Sequence, residues 1–79
     1  MFKERETLDK VKSGNICIIR NIPPGEIKAQ TIRFGMTEGK TVVCRLVIPG
    51  GPVVLKIDRQ EIALGRNLAQ QIEVEGVAK

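Results

Sequence analysis

Two cysteines, nine acidic residues and no histidine make up the reactive inventory of this 79-residue chain. A closed zinc site needs four ligands, drawn mostly from Cys and His at close spacings such as C-x-x-C. Cys17 and Cys44 lie far apart in sequence and cannot build one alone. They are also too few for the disulfide framework of a secreted mini-protein, so two reduced, buried thiols are expected. Surface carboxylates such as Glu26 or Glu38 offer at most weak metal binding. No resident cofactor is expected.

Gly35-Met36-Thr37-Glu38-Gly39-Lys40-Thr41 ends in Gly-Lys-Thr, as a phosphate-binding P-loop does. Its glycines are one residue too close, and the order of elements is wrong. A P-loop follows a strand and opens a helix, so that helix N–H groups meet phosphate. Here a predicted helix comes before and a strand after, which makes the segment a turn. Without histidine the usual base near neutral pH is missing, and the glutamates stand singly. No enzyme is expected. Readers of single-stranded nucleic acid stack bases on aromatics, and only Phe2 and Phe34 are available.

The elements that must position these residues are mostly strands. The apolar fraction of 42% comes mainly from Ile and Val, which favour extended backbone. A chain this short makes one domain over 1–79, with the charge-alternating residues 1–6 frayed. Thr7 is expected to cap a short turn whose Leu8 and Val11 plug one end of the core. Ser13-Gly14-Asn15 marks a turn before a strand at 16–22, which Pro23-Pro24-Gly25 ends. Residues 26–34 read as a short helix with Ile27, Thr31 and Phe34 on its inner side and Gly35 as the left-handed cap. Phe34 is thereby expected to plug the core.

The strongest local signal is a hairpin: strand 41–48, the connection Pro49-Gly50-Gly51-Pro52, and strand 53–58. Alternation puts Val42, Cys44, Leu46 and Ile48 inward, with Val53, Leu55 and Ile57 opposite them. Thr41, Val43, Arg45, Val47, Val54, Lys56 and Asp58 then face outward. Arg59-Gln60 turns the chain into a brief strand at 61–64, a helical turn at 66–70 and a last strand at 71–75. Five short strands with one or two short helices predict a mainly β chain, closed as a small barrel that pairs its own strand edges.

The chain carries 13 basic against 9 acidic residues, a modest excess that reads first as a solvated face, with an acidic protein surface or a phosphate backbone as the alternative reading. No apolar run reaches the length of a membrane span, and the first six residues are no signal peptide, so no membrane insertion and a cytoplasmic location are expected. What remains for function is the outer face of the hairpin. Val43, Val47 and Val54, flanked by Arg45 and Lys56 and by the loop prolines Pro49 and Pro52, form the expected partner-binding surface, with Arg66 as a further basic contact.

An ordered set of short patterns resembles the ferrous iron transport protein A (FeoA) family. Thr7-Leu8 with the later Gly14 and an Ile-rich strand is similar to that family's opening. Phe34-Gly35-Met36-Thr37-Glu38-Gly39 resembles its Leu-Gly-Met-x-x-Gly turn, and Pro49-Gly50-Gly51-Pro52-Val53 the loop of its hairpin. Ile62-Ala63-Leu64, then Ala69 and Ile72-Glu73-Val74, resembles its close. Thr31 and Phe34 stand where the family has core leucines, Arg59 where it often has glycine, and Gly65 where it usually has arginine, although Arg66 is adjacent.

The resemblance implies an SH3-like barrel in the cytoplasm, with weak ferrous iron binding left open as its metal-sensing version. Its partner would be the GTPase-containing cytosolic region of a ferrous iron transporter, on which it acts as adaptor or regulator. Two other readings compete: a small-barrel nucleic-acid-binding module, and a free-standing SH3-like domain of the iron-dependent repressor type.

Overall fold

In the computed structural model, which describes residues 2–77, six strands form one antiparallel sheet with two short helices. The strands are β1 (Phe2–Thr7), β2 (Ile16–Asn21), β3 (Thr41–Val47), β4 (Val53–Ile57), β5 (Gln60–Leu64) and β6 (Glu73–Val77). Helix α1 (Glu26–Ile32) joins β2 to β3, and α2 (Arg66–Ala69) joins β5 to β6. The sheet order is β1-β6-β2-β3-β4-β5, so among the described residues β1 and β5 are its two edges. The expected mainly β, small-barrel architecture holds. It differs in having a sixth strand, and its hydrogen-bonded ladder is open between β1 and β5.

The sixth strand is the segment expected to fray. Within the described residues, β1 pairs with β6 in the register Arg5↔Glu75, Glu6↔Val74 and Thr7↔Glu73. Arg5 lies 3.2 Å from Glu75 and 3.6 Å from Glu73, so opposite charges face each other across the ladder. Charge is an ordinary property of edge strands, where it discourages pairing with other chains. That same charge hid the strand from a reading based on apolar alternation. Met1 lies outside the described residues.

The core is built from both faces of the chain's turns as well as from the sheet. Cys17, Ile19, Val42, Cys44, Val53, Leu55, Ile57, Leu64 and Val74 point inward from five strands. Leu8 and Val11 close one end as expected, helped by a hydrogen bond from Leu8 N–H to the Ile72 carbonyl at 3.0 Å. Thr7 does not cap that turn through its side chain; its hydroxyl donates instead to Asp9 Oδ1 at 2.6 Å.

Helix α1 corrects a second expectation. The chain leaves it at Ile32 and reverses at Gly35, which takes the positive φ of 80° that the cap requires. Gly35 N–H donates to the Ile32 carbonyl and Met36 N–H to the Thr31 carbonyl, the paired bonds of a Schellman motif. The reversal carries Met36 into the core and leaves Phe34 39% exposed. Phe34 is therefore not a core plug, because helical phase stops before it. Thr31 is buried and satisfies its hydroxyl on the Lys28 carbonyl at 3.1 Å.

Because β1 supplies the outer partner of β6, deleting residues 1–6 should strip one side of that strand. The expected outcome is a melting temperature lower by more than about 5 °C, equivalent to roughly 1 kcal/mol in a domain this small. An unchanged thermal melt by circular dichroism would assign the segment no stabilising role.

Candidate functional site

The outer face of the β3–β4–β5 hairpins is set by one extra residue. Cys44 lies opposite Leu55 and Leu46 opposite Val54, so β3 advances two residues where β4 advances one. Arg45 is the surplus, and such a bulge shifts the alternation of everything after it to the other face. Val42 and Cys44 are buried as expected. Leu46 and Ile48 are not: they are 48% and 38% exposed. Val47, expected outside, is half-buried and packs against the core.

The bulge is held from β2's side. Gly14 N–H donates to the Cys44 carbonyl at 2.6 Å, and Cys44 N–H donates to the Asn15 carbonyl at 2.9 Å. Beyond the surplus residue, Val47 N–H donates to Ser13 Oγ at 2.9 Å. The Ser13-Gly14-Asn15 turn thus satisfies backbone groups that the bulge withdraws from the ladder. The loop after β3 is closed by a turn of its own. Pro49 and Gly50 occupy the centre of a turn closed by Gly51 N–H on the Ile48 carbonyl at 2.8 Å, with Gly50 at φ 73°. Proline followed by a positive-φ glycine is the sequence of a type II turn.

The outcome is a surface of cross-strand rows. Leu46, Val54 and Ala63 align on neighbouring strands, as do Val43, Lys56 and Glu61. Of the expected partner-binding residues, Arg45, Pro49, Pro52 and Lys56 are exposed, while Val43, Val47 and Val54 are half-buried. Arg45 reaches Glu61 at 3.5 Å, an exposed pair of little energetic weight. Arg66 stands apart from the face: it lies 3.8 Å from the largely buried Asp9 and ties α2 to the Leu8–Lys10 turn. Sequence reasoning missed Leu46 and Ile48, the large apolar residues of this surface. The only signal for them was Arg45 interrupting an otherwise apolar strand.

The candidate metal ligands are not brought together. Glu26 is exposed in the first turn of α1. Glu38 accepts the Ile22 N–H at 3.1 Å and pairs with Lys28 at 3.2 Å, and these contacts, the backbone bond foremost, hold its carboxyl below the ordinary 4.5. Cys17 and Cys44 are both buried, with sulfurs 3.7 Å apart. Their shared hydrogen bond and then burial push the Cys44 thiol well above the ordinary thiol range, which disfavours a double thiolate. Among the described residues no group of three or more Cys, Asp or Glu side chains is placed to hold a metal ion.

Residues 6–76 match the sequence pattern of the FeoA domain. The chain belongs to the FeoA family. No curated protein matches the sequence closely. Among solved structures, this FeoA domain superimposes on the crystal structure of an iron uptake regulatory protein, FeoA, with a TM-score of 0.87 at 24% identity, covering 94% of this chain and 100% of the other. The iron(II) transport protein A of Clostridium thermocellum gives a TM-score of 0.82 at 30% identity, over 90% of this chain and 45% of that one. ScaR with bound Zn2+ gives 0.80 at 28% identity, over 91% of this chain and 37% of that one. The chain thus spans less than half the length of two of these three. The FeoA fold is SH3-like, and it places this domain in the setting of iron transport and metal homeostasis. Among the described residues no helix is long and apolar enough to cross a membrane.

Two measurements test the local geometry. Ser13→Ala should speed amide exchange at Val47 and lower the melting temperature by no more than about 5 °C, since one partly exposed hydrogen bond contributes about 0.5–1 kcal/mol. Glu38, with its folded pKa below the unfolded value, stabilises its contacts above the ordinary carboxylate range and releases them as pH falls through the lowered value. The Ile22 amide resonance should therefore titrate with a midpoint below that of a free glutamate, and Glu38→Gln should abolish the titration.

Proposed function

We propose that this FeoA domain is a cytoplasmic, non-catalytic adaptor that binds the GTPase-containing cytosolic region of a ferrous iron transporter. Support comes from the family match over residues 6–76 and from the likeness to an iron uptake regulatory protein and an iron(II) transport protein. The observation that carries the docking surface is the pair of large aliphatic side chains, Leu46 and Ile48, held outward beside Val54 and Lys56. An apolar centre rimmed by charge is the ordinary anatomy of a protein interface. Leu46 is fixed by the bulge and Ile48 by the turn that follows, so little conformational entropy is lost on binding.

A second reading draws on the likeness to ScaR, a manganese-activated repressor of which this chain spans about a third. In that reading the domain is the SH3-like part of a metal-dependent regulator, and its contacts are to a DNA-binding unit rather than to a transporter.

Calorimetric titration of the full chain into the isolated cytosolic region of the transporter separates the two. Saturable binding is expected, weakened about tenfold or more by Leu46→Asp, as for an interface hot spot. Leu46 and Ile48 are exposed, so these variants should keep the wild-type melt. No binding at high micromolar concentration, or equal binding by the Leu46→Asp and Ile48→Asp variants, overturns the proposal.

A further inference from the structure

A groove of about 540 Å³ opens at the far end of β4 from the Pro49–Pro52 loop. Its walls are the end of α1 on one side and the β4–β5 turn on the other. Ile32 and Phe34 line it while 54% and 39% exposed, beside the buried Ile57. These are two of the four large apolar residues that the described surface leaves exposed, and the other two belong to the docking face already described. The size falls within the range of about 300–1,000 Å³ typical of ligand-binding clefts.

Charge decides what the groove suits. Arg33 and Arg59 also line it, and among the described residues neither guanidinium has an ion-pair or hydrogen-bond partner. The one acid in the wall, Asp58, is held by Lys40 Nζ at 2.8 Å. An apolar recess between two unneutralised arginines is complementary to an apolar side chain flanked by carboxylates, which arginine grips in a planar, two-pronged fashion.

Both walls owe their shape to tight turns. The reversal at Gly35 throws Phe34 outward. On the other wall, Asp58 and Arg59 are the two central residues between the paired Ile57 and Gln60. Asp58 takes φ 53°, a left-handed conformation uncommon outside glycine, although aspartate tolerates it better than most.

We infer that this groove binds an acidic peptide segment of a partner protein, seating one large apolar side chain against Ile32 and Phe34 and its flanking carboxylates on Arg33 and Arg59. The groove shares no residue with the Leu46 face, so the inference stands independently of docking on the transporter. A nucleic acid strand fits less well, because one aromatic ring offers no platform for successive bases.

The test is an amide-shift titration of the isotope-labelled chain with a synthetic peptide carrying one phenylalanine between two runs of three glutamates. Saturable movement is expected at residues 32–35 and 57–60, weakening with salt. Arg33→Glu with Arg59→Glu should weaken binding about tenfold or more and should gain binding of the peptide with lysine in place of glutamate. Replacing the peptide's phenylalanine by serine should also weaken binding. Movement confined to other residues, equal binding of the peptide with glutamine in place of glutamate, or tighter binding of a ten-residue oligothymidine at the same amides overturns the inference. So does failure of the charge-reversed pair to exchange partners while its melt stays wild type.

Discussion

A small sheet has to be sealed by whatever the chain can spare, and everything else in this domain follows from that constraint. Fifteen apolar residues among those described form the core, and no charged side chain joins them. The surface-to-volume ratio of so short a chain leaves no interior to spare for a polar site. Leu8 and Val11 come from a turn, Ile22 from the loop just after β2, Met36 from a helix reversal and Ile72 from the approach to β6. Each is an irregular segment used as a plug. The cysteines belong to the same economy: Cys17 and Cys44 fill space against each other across neighbouring strands.

The outer residues are what such a chain presents to other molecules, and irregularity decides which of them are large and apolar. Arg45 is the clearest case. As an inserted residue it reverses the faces of the rest of β3, turns Leu46 into solvent and brings Val47 against the core. The reversal at Gly35 does the same for Phe34 and Met36 in helix-to-strand form. In both places a backbone defect, stabilised by its own hydrogen bonds, places a large apolar side chain where regular geometry would not. The two sites sit at opposite ends of β4 and differ in charge. The Leu46 face mixes Arg45, Glu61 and Lys56, whereas the groove presents two arginines that no described residue neutralises.

The likeness to metal-dependent repressors fits this picture of a domain defined by surface. One fold serves in chains of different length, and in ScaR it amounts to about a third of the protein. A fold shared in this way carries its activity in what its outer residues meet. In this chain Arg66 is occupied by Asp9 and Glu38 by Ile22 and Lys28, so those side chains serve the fold.

The amino-acid sequence by itself determined the mainly β class, the order of β2 to β6 with both helices, the turn at Gly35, the Pro-Gly turn after β3 and the burial of Cys17, Cys44, Val42, Leu55 and Ile57. These follow from local pattern: β-branched runs, period-two alternation, and glycine or proline where φ is restricted. Three things only the tertiary structure decided. Strand β1 exists because β6 offers it a partner, a long-range pairing that a charged segment does not announce. The bulge at Arg45 exists because the Ser13–Asn15 turn and β4 together satisfy its backbone. Phe34 stays partly exposed because α1 ends at Ile32 and the reversal at Gly35 turns Met36 into the core instead, a packing known only once the whole chain has closed around it.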